Sequence, residues 1–257
     1  MKRTCRLLSI TLLILSVSNS QGAQFDSAVI HIGVVDTGEN GIDNIVTFLQ
    51  ADSRFNVVAN IDVDATAVPT LAQLAGYDSV LIATDSRLGT ITGGGLGTQL
   101  GNVLDDYVLG GGRVVLTAFA SSPNIGVDGD ILTLAPHSPL GPNAPAGPLN
   151  MGTAVISHFI FQGVSSFASE YAGTIGISER GIKLASYDTG TIGILTVADD
   201  SVMFVNAFPG HMASFNNGSS FGLVFANALA PIPEPSGVIL TVLALLSVGG
   251  FRGQSKP

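Results

Sequence analysis

Ser121 and Ser122 lie in the segment Thr117-Ala118-Phe119-Ala120-Ser121-Ser122-Pro123, directly after an apolar run, and His137, His158 and His211 follow downstream. A serine hydroxyl becomes a nucleophile when a base within hydrogen-bond reach takes its proton, so this set has the residue types for acyl transfer. Neither Ser121 nor Ser122 lies in the G-x-S-x-G pattern that lifts a serine onto an exposed elbow, and serine is common in loops. Spacing alone assigns no catalytic residue.

Asp62 with Asp64, and Asp128 with Asp130, each place two carboxylates one residue apart, a donor type that suits Ca²⁺. Neither pair goes on to complete a calcium loop, and aspartate is frequent in turns, so no metal ligand is assigned. Gly93-Gly94-Gly95-Leu96-Gly97 precedes a helical pattern and offers backbone N–H groups to an anion. It is neither a Walker loop nor a glycine turn placed directly after a strand, and it reads as a flexible loop. No pattern calls for a cofactor.

The elements that would position these residues follow from hydrophobic periodicity. Residues 29–36 form a near-continuous apolar run, as in a strand buried on both faces. Ile42, Ile45, Val46 and Leu49 then recur on one face of a helix. Strands are expected at 55–61, 77–83 and 113–119, with helices at 68–75, where Pro69 sits in the first turn, and from Leu100 to a stop at Gly110-Gly111-Gly112. This alternation means βαβ units and a mostly parallel sheet flanked by helices. Such sheets bind ligands beyond the carboxyl ends of their strands, which places Asp36, Thr37, Asp85 and Ser86 in the candidate cleft. Six prolines between 121 and 150 mark a long surface excursion. Short strands are expected at 173–177, 182–186, 192–197 and 202–208, and a last helix at 219–228.

Between Asp26 and Glu234 the chain carries nineteen acidic residues against five basic ones (Arg54, Arg87, Arg113, Arg180, Lys183), a net charge of −14. Nucleic-acid binding needs clustered Lys or Arg to displace counterions, and this balance excludes it. The single cysteine, Cys5, sits ahead of an apolar run. Residues 1–23 read as a signal peptide: Lys2, Arg3 and Arg6 precede an apolar stretch at 7–17, and small and polar residues follow, with cleavage between Ser20 and Ala23. The remaining 24–230 read as one α/β domain with no cysteine for a disulfide or a thiol nucleophile.

At the other end, Pro233-Glu234-Pro235 precedes an apolar run at 237–251, and Arg252 and Lys256 follow. As a helix, that run reaches about 22 Å, short of the roughly 30 Å hydrocarbon core. Residues 231–257 resemble the PEP-CTERM sorting signal, with Pro233, Glu234 and Pro235 as the motif, although the basic end is sparse. The resemblance implies an exosortase and the Sec export machinery as partners. It also implies a Gram-negative host, transient membrane association through the short helix, and a cell-surface or extracellular-matrix destination beside exopolysaccharide.

The body resembles the class I glutamine amidotransferase-like proteins, which implies a flavodoxin-like three-layer sandwich. The resemblance rests on Ala75-Gly76-Tyr77-Asp78, on the helix, glycine turn and strand from Leu104 to Leu116, on His158-Phe159 with Gly163-Val164 and Phe167, and on Val205-Asn206-Ala207-Phe208-Pro209. Enzymes of that fold carry a cysteine on the turn after the fourth strand, with a downstream histidine and acid. Here that turn is residues 117–123 and has no cysteine, so thiolate chemistry is excluded. The expectation is an exported domain that binds a partner, glycan or ion without catalysis. An exported serine- or metal-dependent hydrolase and a purely structural matrix component are the alternatives. The intact mass of the surface protein is expected to lack the signal peptide and the apolar tail. Retention of residues 237–257 would make the C-terminus a plain anchor.

Overall fold

A computed structural model of the chain describes residues 24–33, 41–63, 67–84, 95–122, 126–138, 146–154, 157–173, 175–188, 201–216 and 220–230. Eight strands and six helices occur among these residues, in the order β1 (Phe25–Ile32), α1 (Asp43–Ala51), β2 (Phe55–Val63), α2 (Leu71–Leu74), β3 (Ser79–Thr84), α3 (Leu96–Leu109), β4 (Arg113–Thr117), α4 (Ile131–Leu134), β5 (Ala146–Ala154), β6 (Ala168–Tyr171), β7 (Ala185–Tyr187), β8 (Val202–Val205), α5 (Met212–Asn216) and α6 (Phe221–Leu229). None of the helices among them is long and apolar enough to cross a membrane.

Five strands form one sheet in the order β2-β1-β3-β4-β8, and every neighbouring pair is parallel. Alternate side chains along each strand feed two separate cores. Val29, Leu81, Val115, Met203 and Val205 face α1 and α6, where Ile45, Leu49, Val224 and Phe225 close the layer. Ala28, Ile30, Val80, Ile82, Val114, Leu116 and Phe204 face the opposite layer, closed by Leu74 of α2, Leu100 and Leu104 of α3 and Ile131 of α4. Burial on both faces is why these strands read as unbroken apolar runs rather than alternating ones. The expected α/β class with a mostly parallel, helix-flanked sheet is the observed one.

Three local differences from the sequence expectation have physical causes. Helix α2 starts at Leu71, not before Pro69, because Thr70 is its extended N-cap and forms a capping box with Gln73. The excursion after β4 contains β5, the centre of a small antiparallel sheet ordered β6-β5-β7. Periodicity conceals that strand because Pro148 lies within it, at the register shift between Ala146 and Leu149. The described residues of 173–177 make only an isolated bridge, from Ile177 to His137, and the expected strand at 192–197 lies outside the described residues.

The small sheet is stitched to the carboxyl end of β8. Buried Asn206 accepts from Gly173 N–H (2.8 Å) and donates to the Gly173 carbonyl (2.7 Å), while Tyr187 donates to the Asn206 carbonyl (2.6 Å). On the other side of the main sheet, α3 lies directly on the turn before α4. A Cβ on Gly101 would stand 1.6 Å from the Asp128 carbonyl oxygen, an overlap that only backbone movement relieves. Gly101→Ala is expected to lower stability by about 1–3 kcal/mol, towards the upper end because the clash is with backbone. Urea denaturation measures it, and an unchanged midpoint would mean that this close approach does not exist.

Candidate functional site

Strand β4 ends where the chain must reverse over the sheet edge. Thr117 donates its hydroxyl to the Ile82 carbonyl (2.8 Å), tying β4 to β3, and Ala118 N–H donates to the Ala207 carbonyl (3.2 Å), tying the turn to the end of β8. Bonds from Ala120 N–H to Thr117 O and from Ser122 N–H to Phe119 O close the turn. Phe119 stands at its tip with φ +71°, the sole non-glycine residue in the left-handed region among the described residues. An L side chain there costs on the order of 1–3 kcal/mol, and surrounding contacts must hold it. Phe119 is partly buried and packs against both cores, with its ring 6.4 Å from that of Phe208.

Two residues on, Ser121 Oγ lies 2.5 Å from His137 Nε2, and both side chains are buried, at 3% and 5% exposure. The His137 ring stacks on Phe204 of β8, centroids 3.8 Å apart and planes 19° from parallel. Its Nδ1 is buried and has no partner among the described residues, so no carboxylate orients the ring. Burial pushes the His137 pKa down to about 4. The imidazole is therefore neutral at pH 7 and a weak base, some way from the near-neutral pKa that suits general-base work.

The structure separates the remaining candidates. His158 caps the short 3-10 turn at Phe159–Phe161 through Nδ1, which accepts from Ile160 N–H at 3.4 Å. His211 follows β8, edge-on to Tyr171 at 5.1 Å, with a buried Nδ1 that has no partner among the described residues. Asp62 lies on β2 and contacts His31 Nδ1 at 3.4 Å, while Asp128 accepts from Gly129 N–H in the turn before α4. The two acidic pairs are thus on different elements, and the described residues contain no group of three His, Cys, Asp or Glu that could hold a metal. Gly95 is the left-handed N-cap of α3, φ +75°, with no side-chain cap. Ser122 is half-buried in the turn. Asp36, Thr37, Asp64, Asp85, Ser86, Gly93, Gly94 and the motif Pro233, Glu234 and Pro235 lie outside the described residues, as do 1–23 and 231–257.

Sequence reasoning overlooked three residues. Phe119 was visible only as a member of the turn, and its left-handed backbone leaves no mark in composition. Thr84, the last residue of β3, carries a fully buried hydroxyl without a partner among the described residues, immediately before Asp85. His31 is buried on β1 opposite Asp62, a pairing that register alone reveals.

A left-handed turn at the carboxyl edge of a parallel sheet, a histidine after the last strand and a small appended sheet characterise this end of the α/β domain. No family model matches the chain, and no curated protein matches it. Solved structures do resemble it. A protein designated ThuA-like from Bacteroides uniformis aligns at 15% identity over 82% of this chain and 93% of its own, with a TM-score of 0.51. A cytoplasmic protein of Salmonella typhimurium aligns at 12% identity over 80% and 98%, with a TM-score of 0.55. A second ThuA-like protein, from Parabacteroides merdae, aligns at 13% identity over 80% and 88%, with a TM-score of 0.48. The likeness is one of fold: the mixed α/β architecture is that of ThuA-like proteins, which are amidotransferase-like.

The Ser121–His137 contact is open to direct test. Ser121→Ala leaves a buried imidazole with neither nitrogen paired, and the expected cost is about 1–3 kcal/mol in urea denaturation at pH 7. A loss within experimental error would show that the contact does not form.

Proposed function

We propose that this chain is exported, sorted by its Pro233-Glu234-Pro235 tail, and displayed or released as a surface or extracellular-matrix protein. Its flavodoxin-like, amidotransferase-like domain binds a partner, glycan or ion and does not turn it over. The order β2-β1-β3-β4-β8 supports the flavodoxin-like class, since it is the 2-1-3-4-5 order with the small sheet inserted before the last strand.

The observation that carries the non-catalytic reading is Phe119. The strained tip of the turn after β4, where enzymes of the resembled fold carry a nucleophile, bears a phenyl ring. A ring at that place supplies an apolar contact and no lone pair. The Thr84 hydroxyl at the end of β3 and His211 Nδ1 after β8, without partners among the described residues, support a ligand at the same edge, because buried polar groups are ordinarily paired. The acidic balance and the terminal segments support export and argue for no role with nucleic acid.

The Ser121–His137 contact favours one other reading, a serine hydrolase. Against it stand the burial of both groups, the missing partner at Nδ1 and the depressed basicity of the ring. The test is incubation of the purified protein with activated esters, amides and glycosides and with a fluorophosphonate probe, alongside a retention assay on exopolysaccharide. The expected result is no turnover, no label on Ser121 or Ser122, and measurable retention that Phe119→Ala weakens by tenfold or more. Turnover abolished by Ser121→Ala would replace this function with the hydrolase.

A further inference from the structure

His137 sits at a seam. Its own chain segment pairs with the segment around Ile177 through a tight set of contacts. His137 bridges Ile177, Ser138 N–H donates to the Gly176 carbonyl (3.1 Å), and Gly176 N–H donates to Ser138 Oγ (3.0 Å). Ser178 closes the other end, its N–H donating to the Pro136 carbonyl (3.1 Å) and its hydroxyl to the Ala135 carbonyl (2.9 Å). These bonds clip the two segments together, with Ala135 and Ile175 packed on the core on the α3 side of the sheet. The side chain of His137 fastens the clip inward, to Ser121 of the turn and to the face of Phe204 on β8.

We propose that the His137 contact with Ser121 and Phe204 is an acid-sensitive latch, which releases the clip at 135–138 and 175–181 from the sheet when the imidazole takes a proton. A neutral imidazole has a single N–H, and with the proton on Nε2 the Ser121 Oγ accepts it, leaving no buried donor unpaired. The imidazolium must donate from both nitrogens, and Nδ1 is buried with no acceptor among the described residues. The ring also becomes a buried cation. The Phe204 face attracts that charge, but a single ring offsets only part of the lost hydration.

Among the described residues, nothing packed around the ring supplies a counter-charge. Strand β8 brings only Val202, Met203, Phe204 and Val205, and the turn 117–122 has no charged residue. Glu179, Arg180 and Lys183 on the Ile177 side are exposed or half-exposed, and Asp128 and Asp130 before α4 are exposed. No ion pair to His137 occurs among the described residues. Opening the clip returns the imidazolium to water, so acid favours the open form. The latch depends on the packing of His137 and holds whether or not the carboxyl edge of the sheet binds a ligand.

The pH window follows from the ring itself. Its pKa is lowered from 6.5 to about 4 in the closed form, so closed-state stability is complete above about pH 6.5 and declines as pH falls towards 4. Hydrogen exchange of the full chain, read at pH 7 and pH 4 and corrected for the intrinsic rate, measures the opening. Peptides covering 131–138 and 175–184 are expected to lose at least tenfold more protection than peptides of β1 and β3. His137→Gln keeps a hydrogen-bonding side chain that does not titrate, and it is expected to abolish that difference. Equal losses in clip and core, or the same acid loss in His137→Gln, would overturn the latch. If His137→Gln fails to fold, NMR titration of the wild-type imidazole decides. Clip opening must track protonation of the His137 ring, and opening while the ring is still neutral would equally overturn it.

Discussion

A parallel sheet covered on both faces has no face left for a site, and this burial orders the rest of the molecule. Its strands send Val, Leu and Met to one helical layer and Ala, Val, Ile, Leu and Phe to the other. Polar side chains inside the sheet must find partners at once. Ser27 and Ser79 share a hydrogen bond of 2.7 Å, and Thr117 reaches the Ile82 carbonyl. Thr84 closes β3 at the carboxyl edge of the sheet, and Phe119, Asn206 and His211 stand beyond the ends of β4 and β8.

At that edge the geometry of the turn and the identity of its tip are separate matters. The turn after β4 is fixed by backbone bonds, from Ala118 N–H to the Ala207 carbonyl and from Val127 N–H to the Ala120 carbonyl (2.6 Å), and neither depends on a side chain. The left-handed residue at the tip is held by that network and by packing against both cores. A network of this kind presents whatever side chain occupies the tip. Here the occupant is a phenyl ring, which offers an apolar contact and no lone pair.

Much of this was legible in the sequence, and the remainder was not for identifiable reasons. The five core strands and the helices α1 and α3 were recognisable because burial on two faces and on one stripe leaves a periodic signal, although β1 runs Phe25–Ile32 where the expected strand was 29–36. Helix α2 was shifted because the reading took Pro69 as its first turn, whereas the Thr70–Gln73 capping box sets the start. Strand β5 was hidden because it contains Pro148 and is specified by partners far along the chain, Ser169 and Ala168 on one side and Tyr187 on the other. Ser121 and His137 were on the sequence-level roster, but so were Ser122, His158 and His211. Which serine meets which histidine is decided by the path of the excursion, and no local pattern records that path.

The meeting of Ser121 and His137 also shows why distance does not make a catalytic pair. A general base must accept a proton at the working pH and be reachable by substrate. The burial that brings the imidazole to 2.5 Å from the hydroxyl, stacked on Phe204, strips it of water and lowers its basicity, and the same burial closes the hydroxyl to solvent. In a working triad a third group faces the far nitrogen, fixing the tautomer and stabilising the charge that forms. His137 has no such group at Nδ1 among the described residues. Packing that makes the contact short thus also lowers the basicity of the imidazole that makes it.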